Sequence, residues 1–215
     1  MTTQEKNGIT EGVIWKQLLI FFFPILVGSF FQQLYNTVDS VIVGQFVGKE
    51  ALSSVGGSAG QIISLVVGFF TGVSTGATVI ISQYFGAGKK EEIEESLHTA
   101  YAFALVGGLV LGIAGIVFAP QMLRWMNTPE ELIAESVLYV RVYFSGLIFI
   151  FIYNMGAAIL RAVGDSKRPL YYLIVCSVVN IILDLLLILV IPLGVLGAAI
   201  ATLIAQAVSA VLVTV

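Results

Sequence analysis

The chain has 215 residues, 58% of them hydrophobic and only 11% charged, where a soluble domain carries about 25% charged residues. That balance does not suit a water-facing surface, and a net charge of -3 offers no basic footprint for nucleic acid. Cys176, the single cysteine, lies inside an apolar run, which excludes an intrachain disulfide and a cysteine-based metal site.

The first apolar run follows Trp15 and Lys16 and continues far past the roughly 7 to 15 residues of a signal-peptide core, with no cleavage motif behind it. It reads as a retained membrane span behind a short cytoplasmic segment, residues 1–14. A span needs about 20 mostly apolar residues to cross roughly 30 Å of hydrocarbon, so charges mark the edges. Only Asp39 interrupts the stretch from Lys16 to Lys49, nothing charged lies between Glu50 and Lys89, and only His98 lies between Ser96 and Leu123. Arg141 and Arg161 bracket 19 uncharged residues, the fourth span. From Pro169 to Val215 the single charge is Asp184, and the Pro192-Leu193-Gly194 turn divides this run into a fifth and a sixth span. The expectation is an all-α integral membrane protein, a six-helix transmembrane bundle over 15–215 with spans near 15–46, 51–85, 92–119, 129–163, 169–191 and 194–215.

The punctuation fits this division. Thr128-Pro129-Glu130-Glu131 reads as a capping box with proline at the first helical position, and Gly86-Ala87-Gly88 and Gly164-Asp165-Ser166 read as helix-ending turns. Of the ten basic residues, seven fall on the side of the amino terminus (Lys6, Lys16, Lys89, Lys90, Arg161, Lys167, Arg168) and three opposite (Lys49, Arg124, Arg141). The positive-inside rule then makes the amino terminus cytoplasmic. No repeat and no linker divides the chain. Small residues recur every fourth position at Gly56, Gly60, Ser64, Gly68, Gly72 and Gly76, a smooth stripe that reads first as ordinary helix packing and second as a sliding surface.

Two acids, Asp39 and Asp184, lie deep in apolar runs, where a charge costs at least about 2.5 to 3.5 kcal/mol and needs a partner or a wet cavity. At about 100° per residue, Gln32, Tyr35, Asn36 and Asp39 share one face of the first span, Ser177, Asn180 and Asp184 one face of the fifth, and Thr202, Gln206 and Ser209 one face of the sixth. Asp184 lies about 24 Å of helix beyond Arg168 and Thr202 about 12 Å below Gly194, so Asp39, Asn180, Asp184 and Thr202 fit one layer of an outward-facing pocket. Two carboxylates in a low-dielectric site cannot both ionise cheaply, so the pair would share a proton or hold a small cation. Oxygen ligands of this kind suit H⁺ or Na⁺ rather than zinc or copper. The competing reading is a buried pair that only joins helices.

Other residues carry less. His98 beside Glu94 and Glu95 and the run Lys89 to Glu95 read as a solvated helix end. Tyr139, Tyr143 and Tyr153 fit either stacking on an aromatic cation or, for the first two, interfacial anchoring, and Arg141 reads as an outer-edge anchor. No GxxxxGK[ST] or HExxH motif occurs, which argues against an enzyme such as an ATPase or a zinc hydrolase and against any bound cofactor beyond a coupling ion.

Together, Pro24, Tyr35, Val38-Asp39-Ser40 and Val43-Gly44, then Ser82-Gln83-Tyr84-Phe85-Gly86-Ala87-Gly88-Lys89, then Leu160-Arg161-Ala162-Val163-Gly164-Asp165 with Pro169, then Asn180-Ile181-Ile182-Leu183-Asp184 and Gly194-Val195-Leu196-Gly197-Ala198-Ala199, resemble the multidrug and toxic compound extrusion (MATE) family. The resemblance runs from about Trp15 onwards. It implies one lobe of a twelve-helix plasma-membrane antiporter that exports cationic or amphipathic drugs in exchange for H⁺ or Na⁺. It also implies ion-binding roles for Asp39, Asn180, Asp184 and Thr202; the polar faces add Gln32, Tyr35, Asn36, Ser177 and Gln206 as cavity-lining candidates. The partner this reading requires is a carboxy-terminal lobe or a second half-chain. Two alternatives stand beside it: a lipid or lipid-linked sugar flippase, opposed by the lack of Lys or Arg at membrane depth, and a non-transporting membrane fragment or scaffold.

Overall fold

The computed structural model describes residues 13–215, and residues 1–12, with Lys6 and most of the expected cytoplasmic segment, lie outside the described residues. The order is α1 (Ile14–Ile42), α2 (Lys49–Gly56), α3 (Ser58–Gly86), α4 (Lys90–Trp125), α5 (Glu130–Ser145), α6 (Leu147–Ala162), α7 (Lys167–Asp184) and α8 (Val195–Thr214). Wider π-helical turns extend α1 through Val43–Val47 and α7 through Leu185–Val190. Five of the resulting helical units are individually long and apolar enough to cross a membrane, and the bent pair α5–α6 makes a sixth. Large apolar side chains cover the outer surface. On α4, Val106, Val110, Ile113 and Val117 form one exposed stripe, as lipid contact requires.

Two of the expected spans are broken. The second is interrupted at Gly57, between α2 and α3, where a Cβ would collide with the carbonyl oxygen of Ser53. The fourth bends by 49° at Gly146. There the Ser145 hydroxyl donates to the Val142 carbonyl at 2.6 Å, a side-chain bond that competes with the helical ladder. Gly146 has no Cβ to hold off Leu203 of α8. The capping box is not formed: Pro129 is the cap residue, no side chain caps α5, and the buried Thr128 hydroxyl finds no partner among the described residues. By contrast Asp165 does cap α7, its Oδ1 accepting the amides of Lys167 and Arg168 at 3.1 Å each.

With lipid outside, the helices are held by close packing rather than by exclusion of water. Gly108, Gly112 and Gly115 of α4 allow contact with the backbone of Ile148 and Phe144 and with the Phe144 ring. Phe70 of α3 stacks on Phe151 of α6 with centroids 3.6 Å apart. Pro120 in α4 cannot donate to the Ile116 carbonyl four residues back, and Arg141 Nε of α5 donates to it instead at 3.2 Å. This bond joins α4 to α5 and gives the expected anchor a definite acceptor. On the other side of the bundle, α1 packs chiefly on α7, and α7 on α8. A long cleft separates α1 from the α3–α6 side.

Candidate functional site

That cleft is a cavity of about 620 Å³ lined by α1, α3, α5, α6, α7 and α8. Along α1 its wall runs from Pro24 to Ser40, about 24 Å at 1.5 Å per residue. Gln32, Tyr35, Asn36, Asp39, Ser177, Thr202 and Gln206 all line it. The single polar stripes on α1, α7 and α8 thus converge on one space, because each helix turns its few hydrogen-bonding groups away from lipid.

Asn180 and Asp184 do not line the cavity. They stand behind Thr202 and Asp39, each 0% exposed, while Asp39 is half-buried at the wall. With its amide oriented to satisfy both neighbours, Asn180 Nδ2 donates to Asp184 Oδ2 at 2.8 Å and its Oδ1 accepts the Thr202 amide at 3.3 Å. The carboxyl groups of Asp39 and Asp184 lie within hydrogen-bond reach of each other. Asp39 Oδ1 and Asp184 Oδ1 are both buried and have no hydrogen-bond donor among the described residues. A carboxylate oxygen only accepts, so neither acid can satisfy the other while both are ionised. Tyr35 of α1 and Thr202 of α8 line the same cavity as Asp39.

Each acid sits where its helix widens. Asp39 precedes the turn Val43–Val47 by four residues, and Asp184 immediately precedes Leu185–Val190. These two wide turns pack against each other, so the segments that carry the acids are joined beyond them. Wide turns of this kind are frequent at functional sites.

Besides Asn180 and Asp184, which stand behind the pocket in which the sequence placed them, four features of the site differ from what the sequence suggested. Tyr139, Tyr143 and Tyr153 all line the cavity, so interfacial anchoring does not describe the first two. A spacing of four between Tyr139 and Tyr143, on the same helix face, was the available signal. Most of the small-residue stripe packs on no other helix among the described residues: a Cβ at Gly68, Gly72 or Gly76 would meet nothing within 4 Å, and Gly60, Ser64 and Gly68 line the cavity. Arg161, read as the edge of the fourth span, faces the cavity. Thr71 and Asn154, unnoticed in the sequence, line it too. His98 lies 3.9 Å from Glu94 at an exposed helix end, far along the chain from these residues.

A family model described as MatE matches residues 24–186. The chain belongs to the MatE family. The probable multidrug resistance protein YoeA of Bacillus subtilis is 34% identical to this MatE chain over 208 residues, covering 95% of the chain and 44% of YoeA. A protein of Shewanella oneidensis named FAD transporter is 26% identical over 207 residues, 93% of the chain and 45% of that protein. Among solved structures, the outward-facing conformation of a multidrug resistance MATE family transporter of the MOP superfamily superposes with a TM-score of 0.92 at 27% identity, covering 100% of the chain and 47% of that structure. The MatE chain therefore spans about half the length of the curated relatives it matches. It is a multi-pass membrane protein of a transporter family and not an enzyme.

Proposed function

We propose that the chain forms the amino-terminal lobe of an antiporter that exports cationic or amphipathic drugs in exchange for H⁺ or Na⁺. The observation that carries this reading is the facing pair Asp39 and Asp184, each with an unpartnered buried oxygen, beside a polar cavity. If both acids were ionised at about 4 Å, their repulsion at an effective dielectric of 20 would be about 4 kcal/mol. A proton or Na⁺ removes it. A drug cation at the tyrosine-lined wall beside Asp39 removes part of it as well, so ion and drug compete for the same charge. Competition of this kind is what exchange requires, because each ligand shifts the equilibrium only by its differential affinity. The relative named as a multidrug resistance protein agrees with drug cargo.

The rest of the machine follows from the same reading. The open cavity side between α1 and α3 faces a carboxy-terminal lobe or a second half-chain, since transporter halves are commonly related by an axis along the membrane normal. The lobe sits in the plasma membrane with its amino terminus cytoplasmic, on the side of the basic excess. The test is dye-cation efflux from vesicles holding the complete assembly, driven by an imposed pH or Na⁺ gradient. Asp39→Asn and Asp184→Asn are each expected to abolish gradient-driven efflux, and the double variant to be no worse than either, because the pair holds one ion. Wild-type efflux in either single variant refutes the proposal.

A further inference from the structure

The inner end of the cavity holds a charge that the exchange reaction does not use. Arg161 lies in the last turn of α6, half-buried, on the cavity wall. It is about 16 Å along α6 from Ile150, which also lines the cavity nearer the acids. Among the described residues its guanidinium makes no ion pair and no hydrogen bond. The closest acid in sequence, Asp165, is taken: Arg168 Nε lies 3.1 Å from its Oδ2, and its Oδ1 accepts two backbone amides. The neighbouring Tyr153 hydroxyl donates to the Pro169 carbonyl at 3.3 Å and offers no negative charge. A partly desolvated guanidinium with five unused donors is costly unless it gains an anion. Complementing the α6 dipole would not require it to face the cavity.

We propose that Arg161 is an anion-binding group at the inner end of the cavity, taking a carboxylate or phosphate oxygen of a ligand whose cationic part lies toward Asp39. This rests on the reading of the cavity as the cargo site and adds a substrate class to it: amphoteric molecules long enough to bridge the two ends. The same chemistry is offered by the headgroup of an anionic lipid reaching in from the inner leaflet.

The experiment measures fluorescence anisotropy of a xanthene dye cation carrying an alkyl arm long enough to span from Asp39 to Arg161 and ending in a carboxyl group, as its methyl ester and as its free acid, with the purified full chain in phosphatidylcholine nanodiscs. Arg161→Gln is expected to weaken the free acid about tenfold or more, the usual effect of a charge-assisted pair, and to leave the ester within about twofold. Arg161→Lys is expected to recover part of the loss. The ester serves as the folding control, since a collapsed variant loses both dyes. Equal loss of both dyes in a variant with wild-type thermal unfolding, or no loss of either, overturns the proposal. Failure of wild type to bind either dye overturns it together with the cargo-site reading. Asp39→Asn is expected to weaken both dyes alike; if it does not, the exchange reading fails while the assignment of Arg161 stands. Repeating the titration in phosphatidylglycerol nanodiscs separates the sources: loss of the free-acid preference in wild type, with none in Arg161→Gln, identifies the lipid headgroup as the competing occupant of the same site.

Discussion

Alanine at Gly115 of α4 should destabilise the lobe, and alanine at Gly68 of α3 should not, although both glycines belong to stripes of small residues on long apolar helices. A Cβ at Gly115 would overlap the ring of the buried Phe144, one at Gly108 would stand 2.7 Å from Ile148 Cα, and one at Gly112 would stand 2.9 Å from the Phe144 carbonyl oxygen. Two of the three obstacles are backbone, so relief requires α4 to move away from α5 and α6. Overpacking of this kind costs about 1–3 kcal/mol per site. At Gly68, Gly72 and Gly76 nothing stands within 4 Å, and replacing glycine inside a helix gains about 0.5–1 kcal/mol. The two classes should therefore differ by about 1.5–4 kcal/mol. At about 2–4 °C per kcal/mol for a chain of this size, that is a separation of several degrees in the unfolding midpoint. Thermal unfolding in detergent, followed by far-UV circular dichroism, measures it directly. If Gly68→Ala lowers the midpoint as much as Gly115→Ala, α3 is the packed helix and the cavity is misplaced.

Asn180→Leu leaves the fully buried Asp184 without its 2.8 Å donor and should cost about 1–3 kcal/mol in the same unfolding assay. Arg141→Ala should cost about 0.5–1.5 kcal/mol by freeing the Ile116 carbonyl; in a Pro120→Ala background, where residue 120 can donate to that carbonyl, the cost should vanish, and a double-mutant cycle reads the coupling. Thr128→Val removes a buried hydroxyl that has no partner among the described residues and should leave the midpoint unchanged or raised; a fall of several degrees would mean the hydroxyl is paired.

The residues that were legible in the sequence are those whose cost is local. An acid in an apolar run is expensive wherever the other helices stand, so Asp39 and Asp184 declared themselves, and the turn of one helix was enough to align Asn180 with Asp184 and Gln32 with Asp39. What escaped depends on a second helix. Whether α3 or α4 turns its glycines inward is a rotation about the helix axis that neither stripe encodes by itself; it is decided by Phe144 and Ile148 on another segment. The bend at Gly146 depends on Leu203, 57 positions away. A tyrosine near a span end satisfies the interface and a polar cavity equally well, so Tyr139 and Tyr143 could be assigned only once the cavity they line was in place. Arg161 was counted as a boundary because a linear scan for charges has no direction sideways.

The same geometry sets an order on the two acids. Asp184 is fully buried, pinned through Asn180 to Thr202, and absent from the cavity wall, whereas Asp39 is half-buried and on the wall. Within the proposed exchange, an ion or proton from the cavity meets the Asp39 carboxyl first and reaches Asp184 only past it. The inner acid is held by the Asn180 amide, which donates to it at 2.8 Å. The outer acid sits on α1, which packs chiefly on α7 and has the open cleft on its other flank. Within the proposed exchange, α1 is then the element free to respond to occupancy, and α7 with α8 is the fixed frame against which its charge is read.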